Sequence, residues 1–131
     1  FEVTNLSSLN ITLLPWDDRV IEFLTGIDIL LFPSRREGFG NVCIQAGACG
    51  VPTIGINGPG VSDAITEPIT GFLAADPKNY VTFASDLIDK MGSNAIDWDY
   101  ENCRRFILKN FDEDKIANEM GDFIRRAMIH I

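Results

Sequence analysis

The stretch IDILLFPSRREGFGNVCIQAGACGVPTIGI, residues 27–56, decides the fold. Ile27 to Phe32 is a nearly continuous β-branched and apolar run halted by Pro33, which predicts a central strand of a parallel sheet, covered on both faces. After the loop Ser34 to Phe39, residues Gly40 to Cys49 predict a helix. Val42, Ala46 and Cys49 fall on one stripe of it, and Gly50 supplies the stop. Pro52 to Ile56 predicts the next strand. Strand, helix and strand in so short a span form a βαβ unit.

Working outward, Asn10 to Leu14 predicts a short strand, and Asp17 or Asp18 a cap for a helix through Ile21 and Leu24 that ends at Gly26. On the other side, Asn57 to Gly60 is a glycine-rich loop and Val61 to Ile65 a helical turn. Thr70-Gly71 then turns the chain into a short strand, Phe72 to Ala74. The order β-α-β-α-β-(α)-β predicts an α/β fold: a Rossmann-like, doubly wound parallel sheet sandwiched by helices, with ligands beyond the carboxyl ends of its strands. The loop at 34–39 lies at such an end. From Asp76-Pro77 onward the pattern is helical, with segments Pro77 to Met91 (closed by Gly92), Asp97 to Lys109 and Asp112 to about His130. The C-terminal third is therefore expected to be all helix. No internal repeat, low-complexity tract or long linker interrupts the chain, so residues 1–131 are expected to form a single domain.

Composition narrows the function. With 46 % hydrophobic residues the 131-residue chain has material for one core, and its net charge of −8 repels nucleic-acid phosphates. A small phosphorylated ligand stays open, because backbone amides at a helix start hold phosphate whatever the total charge. The three cysteines, Cys43, Cys49 and Cys103, form no C-x-x-C pair and read as reduced thiols of a cytoplasmic protein. No apolar run approaches the ~20 residues needed to span a bilayer, and the N-terminus has no signal-peptide pattern. Ile116, Met120, Phe123 and Ala127, with Ile124 and Met128, form a helical stripe suited to packing on a core or partner lobe, or to an amphipathic membrane contact beside Arg125-Arg126. His130, the only histidine, reads as surface.

The chemistry concentrates between Pro33 and Ala46. Gly38 and Gly40 allow close approach of backbone to ligand, and the amides of Gly40, Asn41 and Val42 open a helix at its positive end, a seat for a diphosphate. Glu37 stands just ahead of these donors, placed to accept from sugar hydroxyls or to balance positive charge at an anomeric carbon. A glycine-rich strand-to-helix turn also occurs for tight packing alone. The dinucleotide fingerprint does not fit: Cys43 stands for its third glycine, and no acid ends the strand at Ile56-Asn57. NAD and FAD are thereby set aside. No His/Cys cluster suggests a metal, and no cofactor is expected.

These residues resemble the C-terminal, donor-binding lobe of the retaining group-1 glycosyltransferases, which are built on the two-lobed GT-B architecture. That family has an aspartate before a buried strand, then P-S-x-x-E-G-F-G-x-V, a second acid eight residues after the first, a small-residue helix, G-x-P-V-I, a glycine loop and a T-G turn. Here Asp28, the run from Pro33 to Val42, Ala46 to Ala48, Gly50 to Ile54, Gly58 to Gly60 and Thr70-Gly71 stand in those places. The resemblance covers Leu14 to Ala75 and, more loosely, the helices to about Ile124. Its Arg36 to Val42 version is similar to the branch that builds capsular and other surface polysaccharides on a lipid carrier.

The resemblance implies that Glu37 is the catalytic-site carboxylate that binds donor-sugar hydroxyls. Gly38, Phe39 and Gly40 would line the sugar pocket, and the amides of Asn41 and Val42 would meet the diphosphate. Gln45 stands where the family has a glutamate gripping the ribose hydroxyls, which implies donor binding weaker by roughly 1–2 kcal/mol. Arg35 or Arg36 would neutralise leaving-group diphosphate or face solvent, and Asp63 would serve phosphate contact or loop ordering. The implied partners are a nucleoside diphosphate sugar and an N-terminal acceptor-binding lobe, so the chain is expected to be a piece of a longer enzyme and inactive alone. It is expected to be cytoplasmic, with membrane contact at the inner face only through the parent protein. Two other readings remain at this stage: a non-catalytic sugar-nucleotide-binding module, on the strength of Gln45, and an interaction subunit whose catalytic lobe is a separate chain.

Overall fold

A computed structural model describes residues 11–15 and 18–128, without the side chain of residue 127. Its centre is a parallel three-stranded sheet in the order β1 (Leu30–Phe32), β2 (Thr53–Ile56), β3 (Gly71–Ala74). Leu31 lies opposite Ile54, and Ile54 opposite Phe72. Each crossover is carried by the segment between strands. Between β1 and β2 this is α2 (Asn41–Ala48), and between β2 and β3 a hydrogen-bonded turn.

The two faces of β2 follow the period of two. Ile54 and Ile56 point to one face, where Ala74 and the buried Tyr80, Ala84 and Leu87 of α3 (Tyr80–Gly92) pack on them. Thr53 and Gly55 point to the other. A side chain at Gly55 would run into Ile65 and Val61 of the turn, so those residues lie directly on the backbone. Tyr80 locks the first face in place by donating its hydroxyl to the Ile54 carbonyl at 2.8 Å. The sheet is thus sandwiched by helices, as an α/β fold requires.

Helix α2 packs against both α1 (Val20–Thr25) and α4 (Tyr100–Asn110). Carbonyls at its C-terminal end and at Gly50 just beyond it are met from α4 and the residues before α4, in addition to the Gly50 amide that reaches Gly47 O. The buried Trp98 indole donates to Gly50 O at 2.9 Å, the Cys103 thiol to Gly47 O at 3.6 Å, and Arg104 to Ala48 O at 3.2 Å. Gly47 is pressed against Ile107 so closely that a methyl there would overlap it. The stripe that α2 buries is therefore Cys43, Ala46 and Gly47 and not the expected Val42, Ala46 and Cys49, because α4 approaches on the glycine side.

Several boundaries differ from expectation. Ile11 to Leu14 form no strand and are exposed; Asn10 lies outside the described residues. Helix α1 begins at Val20 with Arg19 before it and no side-chain cap, so Asp18 does not cap it, and Asp17 lies outside the described residues; Gly26 ends it. β1 spans three residues, because the chain is still turning at Ile27 and Asp28 after α1, and it is an outer strand of the described sheet. No described strand flanks β1 on its far side, leaving Leu31 48 % exposed. The fully buried central strand is β2.

The segment Pro77–Asn79 is a 3-10 turn capped by Asp76, and α4 is capped by Asp99 rather than Asp97. The C-terminal part is helical apart from the connections at 93–99 and 111–112, ending in α5 (Glu113–Met128). The α5 stripe does not enter the core: Met120, Phe123 and Met128 are largely exposed, and His130 lies outside the described residues. No helix among the described residues is long and apolar enough to cross a membrane.

Trp98→Phe should cost about 1–3 kcal/mol in urea unfolding, because it orphans a buried carbonyl. Arg104→Ala, which removes only an exposed contact to Ala48 O, should cost less than about 1 kcal/mol; equal losses would contradict this reading. Burial pushes the Cys43 and Cys103 thiols up from 9.0 to about 11. A raised folded-state value means that the protonated thiols stabilise fully below pH 9.0 and lose that contribution as pH rises through about 11. The melting temperature should fall across that window, and fall less in a Cys43→Ala/Cys103→Ala variant.

Candidate functional site

The loop 33–40 leaves the carboxyl end of β1, and the loop 57–60 leaves that of β2 beside it. Two backbone hydrogen bonds join them: Glu37 N–H to Pro59 O at 3.0 Å and Gly40 N–H to Gly60 O at 3.1 Å. Gly60 has a φ of +76°, and a side chain there would run into the Glu37 carbonyl. At Gly58 it would meet the Arg35 carbonyl at 2.6 Å. Glycine at these two positions is what lets one loop lie on the other. Asp63 holds the second loop by accepting from Gly60 N at 3.3 Å.

Between the two anchors the chain arches through Gly38 and Phe39. The amides of Gly38, Phe39 and Val42 have no hydrogen-bond partner among the described residues. Those of Gly40 and Asn41 are engaged, the first with Gly60 O and the second with Phe39 O at 2.8 Å. This corrects the expectation that Gly40, Asn41 and Val42 all present unpaired donors. The loop-to-loop bond consumes one and the tight turn into α2 another. A side chain at Gly38 would meet nothing within 4 Å, so the arch faces open space.

Glu37 is half-buried at the foot of the arch. The Ser34 hydroxyl donates to its Oε1 at 2.7 Å, which fixes the carboxylate and leaves Oε2 for another donor. Ser34 was not singled out from sequence, although it lies three residues before Glu37 in the quoted motif. Asn41 and Gln45 share the exposed face of α2 next to the arch. Arg35 and Arg36 are exposed on the loop. Below the arch, Cys43 is packed under the helix start, and its thiol is raised by burial and then by the Glu37 charge, so it is protonated at neutral pH and inert as a nucleophile. The buried Thr53 hydroxyl has no other partner and makes a weak contact with that thiol.

The arrangement suits an anion and a polyol together: free amides at a helix start for phosphate, a fixed carboxylate oxygen for hydroxyl groups. Among the described residues no group of three or more His, Cys, Asp or Glu is placed to hold a metal ion. A separate groove of ≈ 360 Å³, lined by Phe72, Ile96 and Trp98 among others, shares no residue with the two loops. Its Asp99 is already committed to capping α4. Gly60→Ala should therefore destabilise by about 1–3 kcal/mol and shift the Glu37 and Gly38 amide resonances. Gly38→Ala should change stability by less than about 1 kcal/mol; a tolerated Gly60→Ala would contradict the interlocked loops.

Comparison with known proteins bears on the family and the fold. The family described as "Glycosyl transferases group 1" matches residues 7–118. Over 96 residues the chain is 33 % identical to D-inositol 3-phosphate glycosyltransferase 2 of Catenulispora acidiphila, covering 67 % of this chain and 22 % of that protein. It is 39 % identical over 64 residues to the capsular polysaccharide biosynthesis glycosyltransferase CapM of Staphylococcus aureus, covering 49 % of this chain and 17 % of that one. The chain thus spans about a fifth of the length of these relatives. Among solved structures, that of Anabaena Alr3699/HepE in complex with UDP superposes with a TM-score of 0.65 at 18 % identity, over 80 % of this chain and 29 % of that one, and supports the GT-B fold. With its family match running over most of its length, the chain belongs to the group 1 glycosyl transferases.

Proposed function

We propose that this chain is the donor-binding domain of a glycosyltransferase that moves a sugar from a nucleoside diphosphate sugar to an acceptor hydroxyl, with retention at the anomeric carbon. The observation that carries the reading is the arch itself. Gly38, Phe39 and Val42 offer free amides at the start of α2, and the second oxygen of Glu37 stands beside them. In this reading the diphosphate lies against the amides of Phe39 and Val42 and Glu37 accepts from the sugar hydroxyls. Gln45 meets the ribose, and Arg36 or Arg35 turns in from the loop to the leaving phosphate. Asn41 contributes its side chain on the exposed face of α2, since its amide is engaged. Asp63 orders the loop under Gly60. The UDP bound in the structural relative supports a uridine nucleotide as the first ligand to try.

The similarity to CapM supports a role in surface polysaccharide synthesis, in the cytoplasm or at the inner face of the membrane through the parent protein. The chain acts as one domain of that parent. The acceptor is bound by another lobe, so the fragment alone binds donor without turning over.

One observation favours a second reading. Gln45 is neutral where the family has a glutamate, as expected of a module that binds sugar nucleotide without catalysis. Calorimetric titration with UDP, GDP and ADP tests both. Binding of UDP at or below the millimolar range, about 4 kcal/mol or more, supports a donor site, and Gln45→Glu should tighten it by roughly 5- to 30-fold. Absence of any response at millimolar nucleotide counts against the donor site. In the longer parent protein, tighter binding by Gln45→Glu without any sugar transfer would favour the non-catalytic module.

A further inference from the structure

The arch of Gly38 and Phe39 is tied by backbone only at its ends, through Glu37 and Gly40 to the neighbouring loop and through the Phe39 carbonyl to Asn41. Between them nothing surrounds Gly38, and Phe39 leaves 41 % of its surface exposed. The ring of Phe39 is nonetheless held. It lies 6.0 Å, centroid to centroid, from the ring of Phe111, tilted by 45°, within the range favoured by aromatic pairs.

Phe111 stands on firm ground. It ends α4, donating its amide to Ile107 O at 2.8 Å, and Ile107 is one of the residues wedged against Gly47 of α2. Asp112, directly after it, accepts from Lys115 N at 3.0 Å and starts α5. The helix pair α2 and α4 thus carries Phe111 as a fixed post beside the arch.

The geometry points to Phe111 as a positioning residue for the donor site: its ring fixes Phe39, and through Phe39 the directions of the free Gly38 and Phe39 amides. It touches no ligand. This role presupposes that the arch is the donor seat, but the post itself is visible without ligand. A loose arch would have to be ordered on binding, so removing the post weakens binding without removing a contact.

The test follows the backbone amides of the 131-residue chain by NMR, free and during UDP titration, in wild type, Phe111→Ala, Phe111→Tyr and Phe39→Ala. Phe111→Ala should shift or broaden Gly38 and Phe39 and speed their hydrogen exchange, with Ile54 and Ile56 of β2 unmoved, and weaken UDP roughly fivefold. Phe111→Tyr should restore both readouts, and Phe39→Ala combined with Phe111→Ala should lose no more than either alone. Unchanged arch signals and unchanged UDP affinity in Phe111→Ala would overturn the assignment, as would β2 signals moving together with the arch, which marks a general packing role. If Phe111→Ala does not fold, Phe111→Leu keeps the apolar volume without the ring and is read the same way. If the wild type binds no nucleotide, the donor reading falls, while the free-state arch signals still decide the role of Phe111.

Discussion

Two backbone hydrogen bonds between neighbouring loops, from Glu37 to Pro59 and from Gly40 to Gly60, are the constraint on which the site depends. They form only because Gly58 and Gly60 present no side chain to the carbonyls of Arg35 and Glu37. The parallel sheet sets the stage, since β1 and β2 lie side by side and release their loops at the same end. Once the loops interlock, the residues between the anchors must bulge outward, and the bulge keeps its amides free. Glycines in this loop pair therefore serve two ends. In one loop they permit contact, and in the other Gly38 leaves open space.

Support comes from below and from the far end of α2. Below, the helix start rests on a protonated thiol and a glycine-backed strand face. At the far end, Trp98, Cys103 and Arg104 donate to the carbonyls of Gly50, Gly47 and Ala48. A helix of eight residues is marginal by itself, so its orientation is set by these tertiary contacts. The region from Trp98 to Phe111 is thus part of the site's scaffold although it lies far from the motif in sequence.

This division explains what was legible in the sequence. The α/β alternation, α2 with its Gly50 stop, β2, β3 and the two glycine loops could be read because their signals are local: Pro33 after an apolar run, glycine at turns, a short apolar strand before Asn57. The outer place of β1 in the described sheet could not, since its composition reports burial preference and not which strands lie beside it. The buried face of α2 was misplaced because Gly47 registers as no hydrophobic at all, yet Ile107 closes against it. The pairing of the Gly40 and Asn41 amides, the Ser34 hold on Glu37 and the Phe39–Phe111 contact depend on where loops and helices meet in space. The motif named the residues of the candidate loop, and packing decided which of their atoms are free.

The central claim is that the arch over residues 38–42 is the seat of a nucleoside diphosphate. A crystal structure of the chain with UDP tests it most directly. The account predicts diphosphate oxygens within hydrogen-bonding distance of the Phe39 and Val42 amides, with the ribose toward Gln45 and the Gly60–Glu37 interlock intact. UDP lodged instead in the groove beside Trp98, or an arch whose amides have turned inward away from the nucleotide, would contradict it.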